Sequence, residues 1–182
     1  MSETQVEIDK RNIVDKYKFV SNELIKKDVK ENSYPFSVCM MHLTHDFNIS
    51  SILRHANALG ACEAYYFGSR KKYDKRGATG TYNYTDMIHV KEFNDLYSLK
   101  EIYTFVALEN NINRKVESLK SFDWPDNAMI IIGEEACCVP DQVLDICDFF
   151  IEIPMRGSVR SMNAASAASV AMWDLVSKKY IK

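Results

Sequence analysis

Three short stretches hold the side chains whose types and spacing could do chemistry. In the first, Asn48 stands six residues before Arg54. Asn48 suits the N-cap of the helix that follows, where a side-chain oxygen takes up a free backbone N–H. Arg54 lies among Ile52, Leu53, Ala56 and Leu59, and a guanidinium in so apolar a helix needs either an acidic partner or an anionic ligand. In the second, the apolar run Ile130-Ile131-Ile132 ends in Gly133, Glu134 and Glu135. Glycine there permits φ > 0 and close approach of backbone to a ligand, while the two acids read equally well as solvated or capping groups. In the third, Ile153-Pro154-Met155 leads through Arg156, Gly157 and Arg160 to Ser161, Met162 and Asn163. Helix capping accounts for Ser161 or Asn163 but not for the whole arrangement.

A fourth stretch offers binding rather than reaction. Residues 70–84 carry Arg70, Lys71, Lys72, Lys75 and Arg76 together with Tyr73, Tyr82 and Tyr84. Cations beside aromatic rings suit RNA, whose phosphates are neutralised and whose unpaired bases stack. A plain solvated surface is the competing account of such a run.

The elements that must position these residues follow from hydrophobic period. Residues 10–30 show apolar positions at helical spacing (Ile13, Tyr17, Val20, Leu24, Val29) and predict an amphipathic helix. The runs 36–41, 64–67, 88–90, 102–107, 128–132 and 149–153 have strand length and are apolar enough for burial on both faces. Helices are expected over 48–59, 94–100, 141–146 and 161–178, with a weaker one over 113–120. Alternating strands and helices imply an α/β domain with a parallel sheet, in which ligands bind outside the carboxyl ends of the strands. The alanine- and serine-rich stretch Ala164 to Ser169 implies close packing of the last helix against another element or a second subunit.

Composition narrows the function classes. The chain has 182 residues, 47% apolar and 26% charged, with net charge −2, so a nucleic-acid surface has to be local. Its longest apolar runs fall short of the roughly 20 residues of a membrane span, and the polar start Ser2-Glu3-Thr4-Gln5 lacks the pattern of a secretory signal. A cytoplasmic location is expected. The five cysteines include no C-x-x-C pair and read as reduced, buried thiols. His42 and His45 lack further ligands at matching spacing, so no metal is expected. No G-x-G-x-x-G follows a strand and no P-loop lysine is present, which argues against a dinucleotide enzyme or an NTPase.

Taken in order, the three stretches resemble motifs 1, 2 and 3 of the SpoU (TrmH-like) RNA 2′-O-ribose methyltransferases of the SPOUT superfamily. Those motifs are N-x(5)-R, a strand ending G-x-E, and I-P-M-x-G-x(3)-S-[LM]-N, matched by Asn48 with Arg54, Gly133 with Glu135, and Ile153 through Asn163. The resemblance spans about residues 36 to 178. It implies a SPOUT-type, trefoil-knotted parallel sheet with helices on both faces, preceded by an N-terminal helix. The chain is then expected to divide into an extension over 1–30 and a methyltransferase domain over 31–182.

The same resemblance implies S-adenosylmethionine as cofactor, held by Ala107, Leu108, Glu109, Gly133, Glu134, Ile153 and Met155, with Met162 closing over it. It implies a homodimer whose subunits share active sites, and an RNA substrate, either transfer or ribosomal RNA; the small undecorated domain, not the resemblance, favours transfer RNA. The arginine matching Arg54 is the catalytic residue, either helping remove the ribose proton with an RNA phosphate or positioning that phosphate. Asn48 organises the site, and Glu135, Ser161 and Asn163 support it. Arg70, Lys71, Lys72, Lys75, Arg76, Arg156 and Arg160 are the expected RNA contacts. The chain departs from the family pattern at Glu134, where Asn or Thr is usual, and at Cys138, where glycine is common. A catalytically inactive RNA-binding protein of the same fold is the alternative, which loss of cofactor binding would mark.

Overall fold

Alternation of side chains along the strands decides the architecture. In β6 (Ala128–Ile132), Ala128, Ile130 and Ile132 join one buried cluster while Met129 and Ile131 join another. In β1 (Tyr34–Met40), Phe36, Val38 and Met40 are divided from Cys39 in the same way. Successive residues of a strand point to opposite faces, so two apolar faces call for a covering layer on each side. The computed structural model describes residues 8–41, 46–69, 73–110, 112–133 and 138–181.

The other strands are β2 (Ala61–Phe67), β3 (Met87–Val90), β4 (Thr104–Leu108), β5 (Glu117–Ser118) and β7 (Phe149–Glu152). They form one seven-stranded sheet in the order β3-β2-β1-β6-β4-β7-β5, and every pairing is parallel. The helices are α1 (Asn22–Glu31), α2 (Asp46–Ala58), α3 (Phe93–Ser98), α4 (Asp141–Leu144) and α5 (Ala164–Lys179). Ile49, Ile52 and Leu53 of α2 and Ala168, Met172 and Leu175 of α5 cover one face. Leu96 of α3 with Val143 and Leu144 of α4 covers the other. The chain builds β1, β2 and β3 outward, then crosses back to lay β4 beyond β6, and this reversal puts the ends of β4, β6 and β7 side by side. Such a crevice is where open α/β sheets bind ligands.

The parallel α/β reading holds, with two local differences. The helix expected over 10–30 occupies only Asn22–Glu31. Upstream, the Asp9 carboxylate accepts the backbone N–H of Arg11 at 3.0 Å and of Phe19 at 2.8 Å, and side-chain capture of backbone donors competes with helix. Only a short 3-10 turn over Asp15–Tyr17 forms there, and the Ser21 hydroxyl then caps α1 by accepting the Leu24 N–H. The weak helix expected over 113–120 is instead the two-residue strand β5, paired with Ile151 and Glu152 at the sheet edge. The unpaired edge of β7 offers this segment more backbone hydrogen bonds than an isolated turn would.

Cys39, Cys62 and Cys147 are free thiols. Burial raises the Cys39 thiol well above its ordinary value and pushes that of Cys147 up to about 12. Among the described residues no helix is long and apolar enough to cross a membrane.

Candidate active site

A cavity of about 400 Å³ opens where β4, β6 and β7 end, within the size range of small-molecule sites. Leu108, Ile132, Ile153, Met155 and Met162 supply apolar wall, and Glu109, Asn110, Glu152, Arg160 and Ser161 supply polar groups. Ala164 and Ala167 line it from α5, where small side chains leave room beside the helix.

Three loops are stitched together around this space. The Glu109 carboxylate accepts the Asn110 N–H at 2.9 Å and the Val139 N–H at 3.4 Å, joining the end of β4 to the segment after β6. The Asn110 amide donates to the Arg160 carbonyl at 2.9 Å, which ties in the segment after β7. Gly133 is required for room: a Cβ there would lie 2.7 Å from both the Cys138 carbonyl carbon and the Val139 nitrogen. Its φ is not left-handed; the left-handed residue of this turn is Cys138, at φ 60°. An L side chain is disfavoured in that region, so the strain falls where the family pattern usually places glycine.

Asn163 joins two of the sequence stretches directly. Its Oδ1 accepts the N–H of Ala165 at 3.1 Å and of Ser166 at 3.3 Å, capping α5. Its Nδ2 donates to Oδ1 of Asn48 at 3.0 Å across 115 positions. Asn48, only 6% exposed, is therefore held inside α2 as a polar tether between helices. One turn-pair further on, the Nδ1 of His55 lies 2.5 Å from the Ser169 hydroxyl, which itself donates to the Ala165 carbonyl at 2.8 Å. Burial, then the neighbouring Arg54, holds the His55 pKa below its ordinary value.

Arg54 itself is exposed on α2 and is not part of the cavity lining. The apolar environment read around it belongs to the opposite face of the helix, where Ile52, Leu53 and Ala56 are buried. Phe47 on α2 and Val170 and Trp173 on α5 are exposed as well. At helical spacing Phe47 with Arg54 and Val170 with Trp173 each form one stripe, on two helices packed against each other.

Of the expected cofactor contacts, Leu108, Glu109, Gly133, Ile153, Met155 and Met162 line the cavity. Ala107 does not: it is fully buried in the core beneath the other face of the sheet, as strand alternation dictates. Ser161 lines the cavity and so does Arg160, which was read as an RNA contact; Arg156 is exposed outside it. Asn110, Glu152, Cys138 and the two alanines were not singled out as lining residues, because each reaches the cavity through a chain return rather than a local pattern. Glu134, Glu135, Arg70, Lys71, Lys72, His42 and His45 lie outside the described residues.

The basic loop is seated on α2. It forms short 3-10 turns over Lys75–Ala78 and Thr81–Asn83, and Ala78 is fully buried. A Cβ on Gly77 would collide with the Ser50 hydroxyl and lie 3.1 Å from the Phe47 carbonyl. Tyr84 is buried and Tyr73 packs on the core, so these two rings hold the loop rather than face a base. Tyr82 is exposed, with the Lys75 ammonium 4.6 Å above its ring. Arg76 pairs with Asp74 at 2.6 Å.

Comparison with known proteins bears on this arrangement. The SpoU rRNA Methylase family matches residues 35–173. A Staphylococcus epidermidis protein named for the TrmH family of tRNA/rRNA methyltransferases is 28% identical over 170 residues, covering 87% of this chain and 65% of the relative. The Escherichia coli tRNA (guanosine(18)-2'-O)-methyltransferase is 24% identical over 140 residues, covering 76% and 61%. The crystal structure of the SpoU methyltransferase AviRb from Streptomyces viridochromogenes with AdoMet superposes with a TM-score of 0.71 at 26% identity, covering 79% of this chain and 57% of that one. The chain thus spans somewhat less than two thirds of the length of these relatives.

Replacing Cys138 by glycine should relieve the left-handed strain and raise stability by up to about 1 kcal/mol. Thermal unfolding of the variant beside the parent checks this, and a lower midpoint would mean that the thiol's packing outweighs the backbone cost.

Proposed function

The chain belongs to the SpoU rRNA Methylase family, whose methyltransferases use S-adenosylmethionine, and from that premise we propose that it methylates a ribose 2′-hydroxyl of RNA, in transfer RNA. The observation that carries the reading is the convergence of Gly133, Met155, Ser161 and Met162 on one cavity, together with the bond between Asn163 and Asn48.

The cavity fits this cofactor by the chemistry of its walls. Its volume is that of a pocket for a drug-sized ligand, its methionine and isoleucine side chains suit the flat adenine ring, and Glu109, Asn110 and Glu152 offer polar anchors. Backbone groups at the ends of β4, β6 and β7 would hold the adenosine, and Met162 would cover it. The group supplies a methyl on a positively charged sulfur. The protein has to place a sugar oxygen in line with that methyl and exclude water, since orientation is the larger part of accelerating a two-reactant step.

On this reading Arg54 binds the RNA phosphate next to the target ribose. A guanidinium stays protonated at any working pH, so it serves as a fixed double donor to phosphate oxygens rather than as a base. Because Arg54 lies outside the cavity of its own chain, the reading includes a homodimer in which α2 and α5 of one protomer face a second copy and Arg54 completes the partner's site. Exposed Phe47, Val170 and Trp173 supply the apolar area for that contact, and depletion of charge with enrichment of aromatic residues marks interface centres. The trefoil knot of the family would surround the cavity.

Arg54→Ala should lower methyl transfer to tRNA at least a hundredfold and leave S-adenosylmethionine affinity by calorimetry within about twofold. Normal turnover would remove Arg54 from the reaction, and no cofactor binding by the parent chain would point instead to an inactive RNA-binding protein. Trp173→Glu should convert a dimer to monomers by sedimentation with little loss of fold stability, because the side chain is 54% exposed in the single chain, and activity should fall with the dimer. A parent chain that sediments as a monomer, or a variant that remains dimeric, would overturn this interface.

A further inference from the structure

Charge is divided unevenly along the chain, and the fold brings the basic parts together. Residues 8–20 carry four basic and two acidic side chains, and residues 73–84 carry two and one. These two segments are thus net +3 in a chain of net −2, which leaves −5 for the rest. They meet in the structure. The Asn12 amide reaches the Thr79 hydroxyl at 3.4 Å, and Lys26 pairs with Asp86 at 2.6 Å just beyond the loop. The Arg11 guanidinium is held above its ordinary pKa by Asp9 first and, to a lesser extent, by Tyr84.

Within the first segment Phe19 stands out. It is 65% exposed and sits at φ 63°, a conformation in which a bulky L residue is an outlier and glycine or asparagine is at ease. The turn that imposes this conformation is firmly built. The Asp9 carboxylate takes the Phe19 N–H at 2.8 Å and is gripped by the Arg11 guanidinium at 2.6 Å. The Lys18 ammonium donates to the Asp9 and Arg11 carbonyls at 3.2 and 2.7 Å. An aromatic ring is held on a braced turn with most of its apolar surface facing solvent. Exposed Lys10, Lys16, Lys75 and Arg76 belong to the same two segments.

We propose that residues 8–20 and the loop 73–84 form one RNA-contacting surface, in which the basic side chains meet phosphates and Phe19 stacks on an unpaired base of the substrate. The proposal rests on the RNA-methyltransferase reading and adds to it a contact that the motif residues do not supply. Cations that track the backbone beside a ring that stacks on a base are the two parts of single-stranded RNA recognition. The local excess of positive charge favours RNA over an apolar protein partner.

The test uses the full chain, a fluorescently labelled unmodified tRNA transcript as probe, and the variants Phe19→Gly, Phe19→Trp and Lys10→Gln with Lys75→Gln. Phe19→Gly should leave the unfolding midpoint unchanged or raise it, because glycine accepts the positive φ, and should weaken RNA binding about five- to tenfold. Phe19→Trp should retain binding, and the double lysine variant should lower the slope of log K against log salt by about 1 to 2. S-adenosylmethionine affinity should be the same in all. If the parent binds RNA and Phe19→Gly binds it equally well, the stacking proposal is overturned while the methyltransferase reading stands. If Phe19→Gly changes the sedimentation of the protein and not its RNA affinity, Phe19 is a protein contact and the proposal is again overturned. A parent that binds no RNA overturns both.

Discussion

One side-chain amide holds the chemistry-bearing parts of this chain in register. Asn163 caps α5 with its oxygen and donates from its nitrogen to Asn48 inside α2, so the helix that follows β7 and the helix that follows β1 are set against each other. Asn163 is exposed and Asn48 buried, so the bond ties the start of α5 to a polar group inside α2. With α5 placed, Ala164 and Ala167 border the cavity while Ala168, Met172 and Leu175 close the core beneath it. The small side chains of the first turns allow the helix to lie close to the strand ends, and the large ones anchor its far half.

The cavity is correspondingly a product of loops rather than of secondary structure. Glu109 and Asn110 reach from the end of β4 to the two other loops, and Gly133 leaves the space that lets residues 138–139 fold back on β6. Backbone strain appears at Cys138 and at Phe19. Both positions are over-determined by surrounding hydrogen bonds or close packing, which is the circumstance in which strained residues persist and in which they attend function. The cavity these loops enclose has both polar and apolar walls.

Much of the fold was legible because its signals are local. Double-faced burial of Phe36 to Met41 and Ala128 to Ile132, a cap at Ser161 or Asn163 and the parallel α/β alternation all depend on residues adjacent in sequence, and the structure agrees with them, taking Asn163 as the cap. The first half of the helix expected over 10–30 fails because one carboxylate, Asp9, captures two backbone N–H groups, an event that apolar spacing does not register. The weak helix over 113–120 gives way to an edge strand for a similar reason: its partner, β7, lies some thirty residues ahead. Tyr73 and Tyr84 read as possible base platforms in a basic loop, yet they anchor that loop to the core.

The residue types and order alone determined the class of fold, the three motif stretches and the family they resemble, since period, capping and motif spacing are written in neighbouring positions. Tertiary structure alone decided that Ala107 faces away from the cavity, that Asn110 and Glu152 face into it, that Arg54 stands outside it, and that the 8–20 turn abuts the basic loop. Those outcomes depend on where the chain returns after dozens of residues, and the hydrogen bonds and excluded volumes that select one return over another exist only once the sheet has formed.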